Sequence, residues 1–258
     1  MGYIHKTNHD YFRKIDTEQK AYFLGLLYAD GCVTEPKGNR QGKVSISLQE
    51  EDGYILENFS DLTSMSVQYV HPKSVKDKGW KGRATLRAVS DQIYADLVKL
   101  GCYVNKSRLG MKFPDIPKEL QKHFIRGFLD GDGSIIFKTV KYKYKRKSSY
   151  LLKYVPNEVN FKLRIAFCST DKVFLETIGK ILNVKYYLAK RTRVQDVFIL
   201  WIENKADVFK TIEYLYEDST IFLKRKYDKV KEYNKAIKSQ AESRLSEGLE
   251  TTCEIDFS

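Results

Sequence analysis

"YFLGLLYADGCV", residues 22–33, is a run of mostly apolar side chains that ends in Asp-Gly, and "HFIRGFLDGDGSI", residues 123–135, repeats the form. Singly, each is an ordinary helix end, because glycine is favoured just past a helix and an aspartate caps or solvates the turn. Together they set Asp30 and Asp132 in corresponding places, 102 positions apart (30 to 132). Gly25 and Ala29 lie one helical turn apart, as do Gly127 and Gly131, so each helix carries a strip of small residues along which a second backbone can approach. Both runs are apolar around most of their circumference, as suits helices packed at a protein's centre. Side by side and parallel, they bring Asp30 and Asp132 together at their C-terminal ends, where the helix dipole and mutual repulsion both disfavour carboxylates. A divalent cation removes that conflict. Mg²⁺ is held by one or two carboxylates with water and phosphate oxygens, and paired metals promote phosphodiester hydrolysis. The pair therefore predicts a metal-dependent nuclease centre on a pseudo-twofold axis.

The surroundings repeat as well. After the first Asp-Gly come a polar loop, "TEPKGNRQGK", and an alternating strand pattern at 44–49. A helix follows, with Ile55, Leu56, Phe59 and Leu62 on one face, then a strand at 83–90 and the amphipathic "DQIYADLVKLG". The second half gives the same order: a strand at 161–168, the helix "TDKVFLETIGKIL", a strand at 197–204 and the helix "KADVFKTIEYLY". An α+β protein of two pseudo-symmetric subdomains is expected, 1–112 and 121–238, joined by the linker 113–120, where Pro114 and Pro117 break the chain. Asp16 with Gln19 predicts the cap of the first apolar helix, and Pro117 sits in the first turn of the second. Residues 221–238 read as a basic helix and 239–258 as a disordered tail.

The chain has 258 residues, 42% of them hydrophobic, enough for a sizeable core. Its formal charge of +12 points to a polyanionic partner, nucleic acid before an anionic membrane surface. No apolar stretch is long enough to span a bilayer, and no membrane association is expected. Residues 1–16 carry Asp10 and Asp16 and no apolar core, so no signal or transit peptide is read there; Lys6 stands where a myristoylation signal needs Ser or Thr. Cys32, Cys102, Cys168 and Cys253 are scattered, and His5 and His9 have no neighbouring ligands, which argues against disulfides or zinc and for a reducing, intracellular setting such as a cytoplasm or organelle matrix. Residues 137–153 hold seven basic residues and no acid; on a strand, Lys141, Lys143 and Lys145 share one side.

"FLGLLYADG" (23–31) and "IRGFLDGDG" (125–133) resemble the paired motifs of single-chain LAGLIDADG homing endonucleases, and the repeated order of elements extends the resemblance over 17–238. The resemblance implies two αββαββα subdomains, motif helices packed at their interface, and antiparallel sheets forming a saddle on DNA. It implies that Asp30 and Asp132 bind metal, helped by the carbonyls of Ala29 and Gly131, while Tyr28 and Asp130 occupy a variable position. Gln49 falls where the family places a water-ordering polar residue; its second-half counterpart reads as Cys168 or Ser169, an asymmetry that suggests unequal cutting of the two strands. Lys106 and Lys226 are the basic residues expected to complete the site. The resemblance also implies Mg²⁺ as cofactor, Mn²⁺ substituting and Ca²⁺ binding without cleavage. A monomer acting on a long asymmetric site and leaving short 3′ overhangs is expected. Phosphate and base contacts are assigned to Lys43, Ser45, Ser47, Arg83, Arg87, Lys138, Lys141, Lys143, Lys145, Lys162, Arg164, Lys190, Arg191 and Arg193, the arginines reading bases and the lysines neutralising phosphate. Gln41 is a further polar candidate, and Lys37, Arg40 and Lys81 add charge to the first half. The alternatives are an RNA maturase for a group I intron and a cleavage-deficient DNA-binding protein. The intact aspartate pair favours the nuclease.

Overall fold

Thr17, rather than Asp16, starts the first apolar helix. In a computed structural model that describes residues 7–63, 66–71, 82–141, 159–192 and 196–246, helix α1 spans Glu18–Asp30. Thr17 is extended and its side chain accepts the Lys20 backbone N–H, which satisfies one of the helix's orphan donors. Asp16, one residue too early to cap, accepts the Lys20 ammonium at 2.9 Å instead. The second motif helix, α5, spans Lys118–Asp132, and Pro117 is its cap residue, one position before the first turn.

Eight consecutive residues of each helix, 21–28 and 123–130, are buried, so neither has a solvent face there. The two helices contact each other more extensively than any other pair of described elements. Glycine makes this possible. A Cβ on Gly25 would lie 2.0 Å from the Phe124 carbonyl oxygen, and one on Gly127 would lie 2.0 Å from the Tyr22 carbonyl oxygen. The contacts are mirror images, since Tyr22 and Phe124 are corresponding residues. At the far end, a Cβ on Gly131 would collide with the Cβ of Ala29.

The glycines that follow the two aspartates are not left-handed helix caps. Gly31 (φ −75°) and Gly133 (φ −109°) are extended, and each donates its N–H back to the helix, to Leu27 O and Leu129 O. They are glycine for space: a Cβ would lie 2.4 Å from Leu27 O or 2.6 Å from Leu129 O. From them the chain passes straight into strands β1 (Gly31–Thr34) and β5 (Gly133–Lys141). The first of these carries no visible alternation in sequence, being four residues that include Cys and Thr and run up to the polar loop.

The remaining elements repeat in register. In the first half β2 (Lys43–Gln49), a 3₁₀ turn (Glu50–Asp52), α2 (Gly53–Thr63), β3 (Ser66–Val70), β4 (Arg83–Val89), α3 (Asp91–Lys99) and the short α4 (Lys106–Leu109) follow. In the second, β6 (Val159–Ser169), α6 (Lys172–Leu182), β7 (Tyr187–Thr192), β8 (Asp196–Ile202), α7 (Lys205–Tyr216) and α8 (Lys224–Ser246) follow. The antiparallel sheets are β1-β2-β4-β3 and β5-β6-β8-β7, the same order twice. Helix α8 runs on to Ser246, into the stretch expected to be a disordered tail. Gln240 holds it there by donating its amide to Val159 O at the start of β6.

Buried ion pairing also crosses the two motif helices. Arg126 of α5, fully buried, donates to Glu18 of α1, to Leu215 O and to Ile221 O. Glu18 also accepts from the N–H and hydroxyl of Thr220. His123 sits beside Arg126 at 3.0 Å, and burial, with the guanidinium's charge adding to it, pushes its pKa down to about 4.

Gly127→Ala should cost at least about 3 kcal/mol in urea unfolding, since its methyl meets backbone that cannot rotate away. Gly38→Ala, where nothing lies within 4 Å but φ is +57°, should cost only about 1 kcal/mol. Between pH 6.5 and 4 the unfolded imidazole of His123 binds a proton and the buried one does not, so stability falls as pH falls. Relative to His123→Gln, the unmodified chain should lose roughly 3 kcal/mol across that window, read by unfolding at each pH.

Candidate active site

The parallel packing of α1 and α5 delivers Asp30 and Asp132 to one cavity of about 490 Å³. Its lining includes Ala29, Gly31, Lys106, Cys168, Ser169, Thr170 and Val197. Asp30 reaches across the seam, its Oδ2 lying 3.1 Å from where a Cβ on Gly131 would be. Both residues still meet solvent, yet the protein crowding around them raises both carboxyls. Asp132 is pushed up to about 6, first by loss of hydration and then by the charge of Asp30. For Asp30, Lys226, Lys106 and Arg225 offset part of the same desolvation.

The two lysines occupy matching places. Lys106 Nζ donates to the Gly31 carbonyl at 2.5 Å, and Lys226 Nζ donates to the Gly133 carbonyl at 2.7 Å. Lys226 is buried and also donates to Leu129 O and Asp130 O, with Gly131 O at 3.3 Å. It neutralises the carbonyl end of α5, and burial draws its pKa down to about 8. Neither lysine is a solvated surface charge.

What holds the lysines was not legible from the motif. Tyr28 and Asp130, one on each helix, are corresponding residues two before Asp30 and Asp132, and both reach for the segment that carries their own half's lysine. Tyr28 Oη donates to Leu100 O and Lys112 O, on either side of Lys106. Asp130, almost wholly buried, accepts the Leu223 N–H at 2.8 Å and the Tyr22 hydroxyl at 2.7 Å, three residues before Lys226. The opposite half supplies a second grip. Asp171 of the second half accepts the Met111 N–H at 2.9 Å, and Asp52 of the first pairs with Arg225 at 2.8 Å. Tyr54 adds to the latter by donating to Phe222 O and accepting from Lys224 N–H.

Strand register corrects one assignment. Gly31 pairs with Ile46 and Gly133 with Phe167, so Cys168 corresponds to Ser47 and the counterpart of Gln49 is Thr170. The misreading came from ending the strand at Cys168, where the apolar run stops, although β6 continues to Ser169. Thr170 lines the acid cavity; Gln49, exposed at the end of β2, does not.

The open faces of the sheets collect most of the expected DNA contacts. On the first sheet Val44, Ile46, Leu48, Ala84, Leu86 and Ala88 are buried, so Lys43, Ser45, Ser47, Gln49, Arg83 and Arg87 share the other face. Register sets Ser45 beside Arg87 and Gln49 beside Arg83, and the Ser47 and Thr85 hydroxyls are hydrogen-bonded at 2.8 Å. On the second sheet Lys138, Lys162, Arg164 and Arg191 fall on the corresponding face. Two residues depart from expectation. Lys190, next to Arg191 in an extended strand, belongs to the opposite face and pairs with Asp196 at 2.7 Å. Arg164 is committed to Glu203 and stacks over Trp201, its guanidinium carbon 4.3 Å from the ring centre. Lys81, Lys143, Lys145 and Arg193, with the side chain of Lys141, lie outside the described residues. Cys32, Cys102 and Cys168 are free thiols, and no described helix is long and apolar enough to cross a membrane.

The model of the LAGLIDADG endonuclease family matches residues 125–237, from within α5 to within α8. Over that stretch, somewhat less than half of its length, the chain is similar to the LAGLIDADG endonucleases. An uncharacterized protein of Methanocaldococcus jannaschii is 24% identical over 71% of this chain and 62% of its own length, so the match spans less than two thirds of that relative. An intron-encoded DNA endonuclease of Dictyostelium discoideum is 23% identical over 78% of this chain and 73% of its own. The LAGLIDADG fold is also that of the meganuclease I-AabMI solved with uncleaved DNA, with a TM-score of 0.57, 16% identity, and coverage of 87% of this chain and 92% of that one. Meganuclease I-SmaMI, solved with uncleavable DNA, gives 0.54 at 15% identity over 87% and 92%.

Asp130→Ala should remove the acceptor of two buried donors and cost about 2–3 kcal/mol in unfolding. The amide of Leu223 should lose hydrogen-exchange protection while amides of β2 and β4 keep theirs.

Proposed function

We propose that this protein is a site-specific DNA endonuclease that hydrolyses one phosphodiester in each strand of a long asymmetric duplex site, leaving short 3′ overhangs, and acts as a monomer. The observation that carries this is the placement of Asp30 and Asp132 at the carbonyl ends of two glycine-packed helices, between two sheets of the same strand order whose open faces both carry basic residues. Double-stranded DNA has its own approximate dyad, so a pseudo-twofold protein sets one acid near each strand.

The donor set suits a divalent cation completed by substrate. Among the described residues no group of three or more His, Cys, Asp or Glu is placed to cage a metal. Two carboxylates with adjacent backbone carbonyls, those of Ala29 and Gly131, match Mg²⁺, which keeps water and takes phosphate oxygens. Mn²⁺ is expected to substitute and Ca²⁺ to bind without supporting cleavage. When bound, the cation would lower the pKa of a water and stabilise the leaving oxygen. The chain's own part is positional. Asp30 and Asp132 would hold the cation, and Lys106 and Lys226 fix the turns from which those acids project. Gln49 and Thr170 flank the path of the scissile strands from corresponding strand ends. Since glutamine and threonine differ in reach, the two strands are cut at unequal rates.

Purified protein with Mg²⁺ should cut an enriched site from a randomised DNA library. Asp30→Asn and Asp132→Asn should each reduce double-strand cleavage by at least about 10³-fold, with affinity measured in Ca²⁺ within a few fold of the unmodified chain. Normal cutting by both variants would sink the assignment, and binding without any cutting by the unmodified chain would identify a cleavage-deficient DNA-binding protein.

A further inference from the structure

The two open sheet faces differ in chemistry. On the first, the middle of the open face is hydroxyls, an amide and an arginine, with Ser45, Ser47, Thr85, Gln68 and Arg87 across three paired strands, and the exposed Val70 and Val89 lie only at its ends. On the second, the equivalent middle is apolar. Register places Ile136 beside Arg164, Trp201 beside Ala166, and Ala189 beside Ile199, all on the face that carries Lys162 and Cys168. Ala166 and Ile199 form a floor 5% exposed, while Ile136, Ala189, Val197 and Trp201 remain half-open. The polar groups within this patch satisfy one another. Arg164 pairs with Glu203, Glu203 accepts the Tyr187 hydroxyl at 2.9 Å, and Arg164 covers one side of Trp201. The patch is continuous with the acid cavity, whose wall includes Val197, and it is framed by Lys138, Lys162 and Arg191. A basic frame around an apolar floor fits a duplex rather than a second protein surface.

Resting on the endonuclease reading, we infer that the halves read DNA by different chemistry. The first sheet selects bases by hydrogen bonds to their edges, as arginine does with guanine. The second selects thymines, by packing Ile136, Ala189, Val197 and Trp201 against 5-methyl groups in the major groove. The half-site under the C-terminal subdomain is therefore rich in A·T pairs, and methyl contact is what distinguishes its strands.

Deoxyuridine separates these modes, because it keeps every hydrogen-bonding group of thymidine and lacks only the methyl. The best site is first selected by binding from a randomised duplex library in Ca²⁺. Arg87→Ala, which should relax one position, marks the half under the first sheet. Deoxyuridine is then substituted for thymidine one half at a time. Each methyl lost from the C-terminal half should weaken binding by about fourfold, and the same change in the other half by less than twofold. Ile136→Ser should abolish the deoxyuridine effect at one position while leaving affinity for the substituted duplex unchanged. Equal losses in both halves, or none in either, would overturn the inference and leave the endonuclease assignment standing. Failure of any sequence to enrich would overturn the endonuclease reading itself.

Discussion

The structure depends on two backbones touching without side chains between them. At Gly25 and Gly127 the helices approach until the carbonyls of Phe124 and Tyr22 fill the space a Cβ would take. That approach fixes their separation, tilt and sense, and everything else takes its position from it. Because both helices end at the same level, their terminal aspartates meet. Because each passes directly into a strand, the sheets spread on either side of that meeting point. Hydrophobic burial of the eight central residues of each helix drives the association, but aliphatic contact alone tolerates sliding. The glycines remove that freedom.

The carboxylates at the seam sit where electrostatics alone opposes them, next to one another and at the negative ends of two dipoles. The fold offsets this with cations drawn from sequence-distant segments, Lys106, Lys226 and Arg225, each anchored to backbone or to another carboxylate. The offset is partial. Burial, and then the charge of Asp30, still hold the Asp132 carboxyl up at about 6.

Most of the architecture could be read in the sequence because it is written twice. The Asp-Gly helices, the strands at 44–49, 83–90 and 197–204, and their order all follow from periodicity and repetition. The edge strands β1, β3 and β7 were missed because they are short and lean on a partner for their conformation. The reach of α8 past 238 was missed for a related reason: a polar sequence becomes helical when Gln240 finds a carbonyl to bind. At the site, Asp30 and Asp132 were legible from position alone. Lys106 and Lys226 were found, but their task was not, since nothing local indicates that an ammonium turns back onto a helix end. The roles of Tyr28, Asp130, Asp52 and Asp171 depend on contacts over 60 to 173 positions and were beyond any local pattern. The hint was there in one respect, because residues 28 and 130 occupy the same place in the two repeats.

The crossed grips of Asp52 and Asp171 bear on how the protein comes into being. A growing chain releases residues 1–120 first, and that portion contains Asp30, Lys106 and a complete sheet. Tyr28 already holds the segment carrying Lys106, but its second grip, Asp171, is made later, while the segment carrying Lys226 finds Asp52 already made. Neither half finishes its own centre. A partly synthesised chain thus carries Asp30 without Asp132 beside it, and the paired site comes into being only when both halves have been translated and have met.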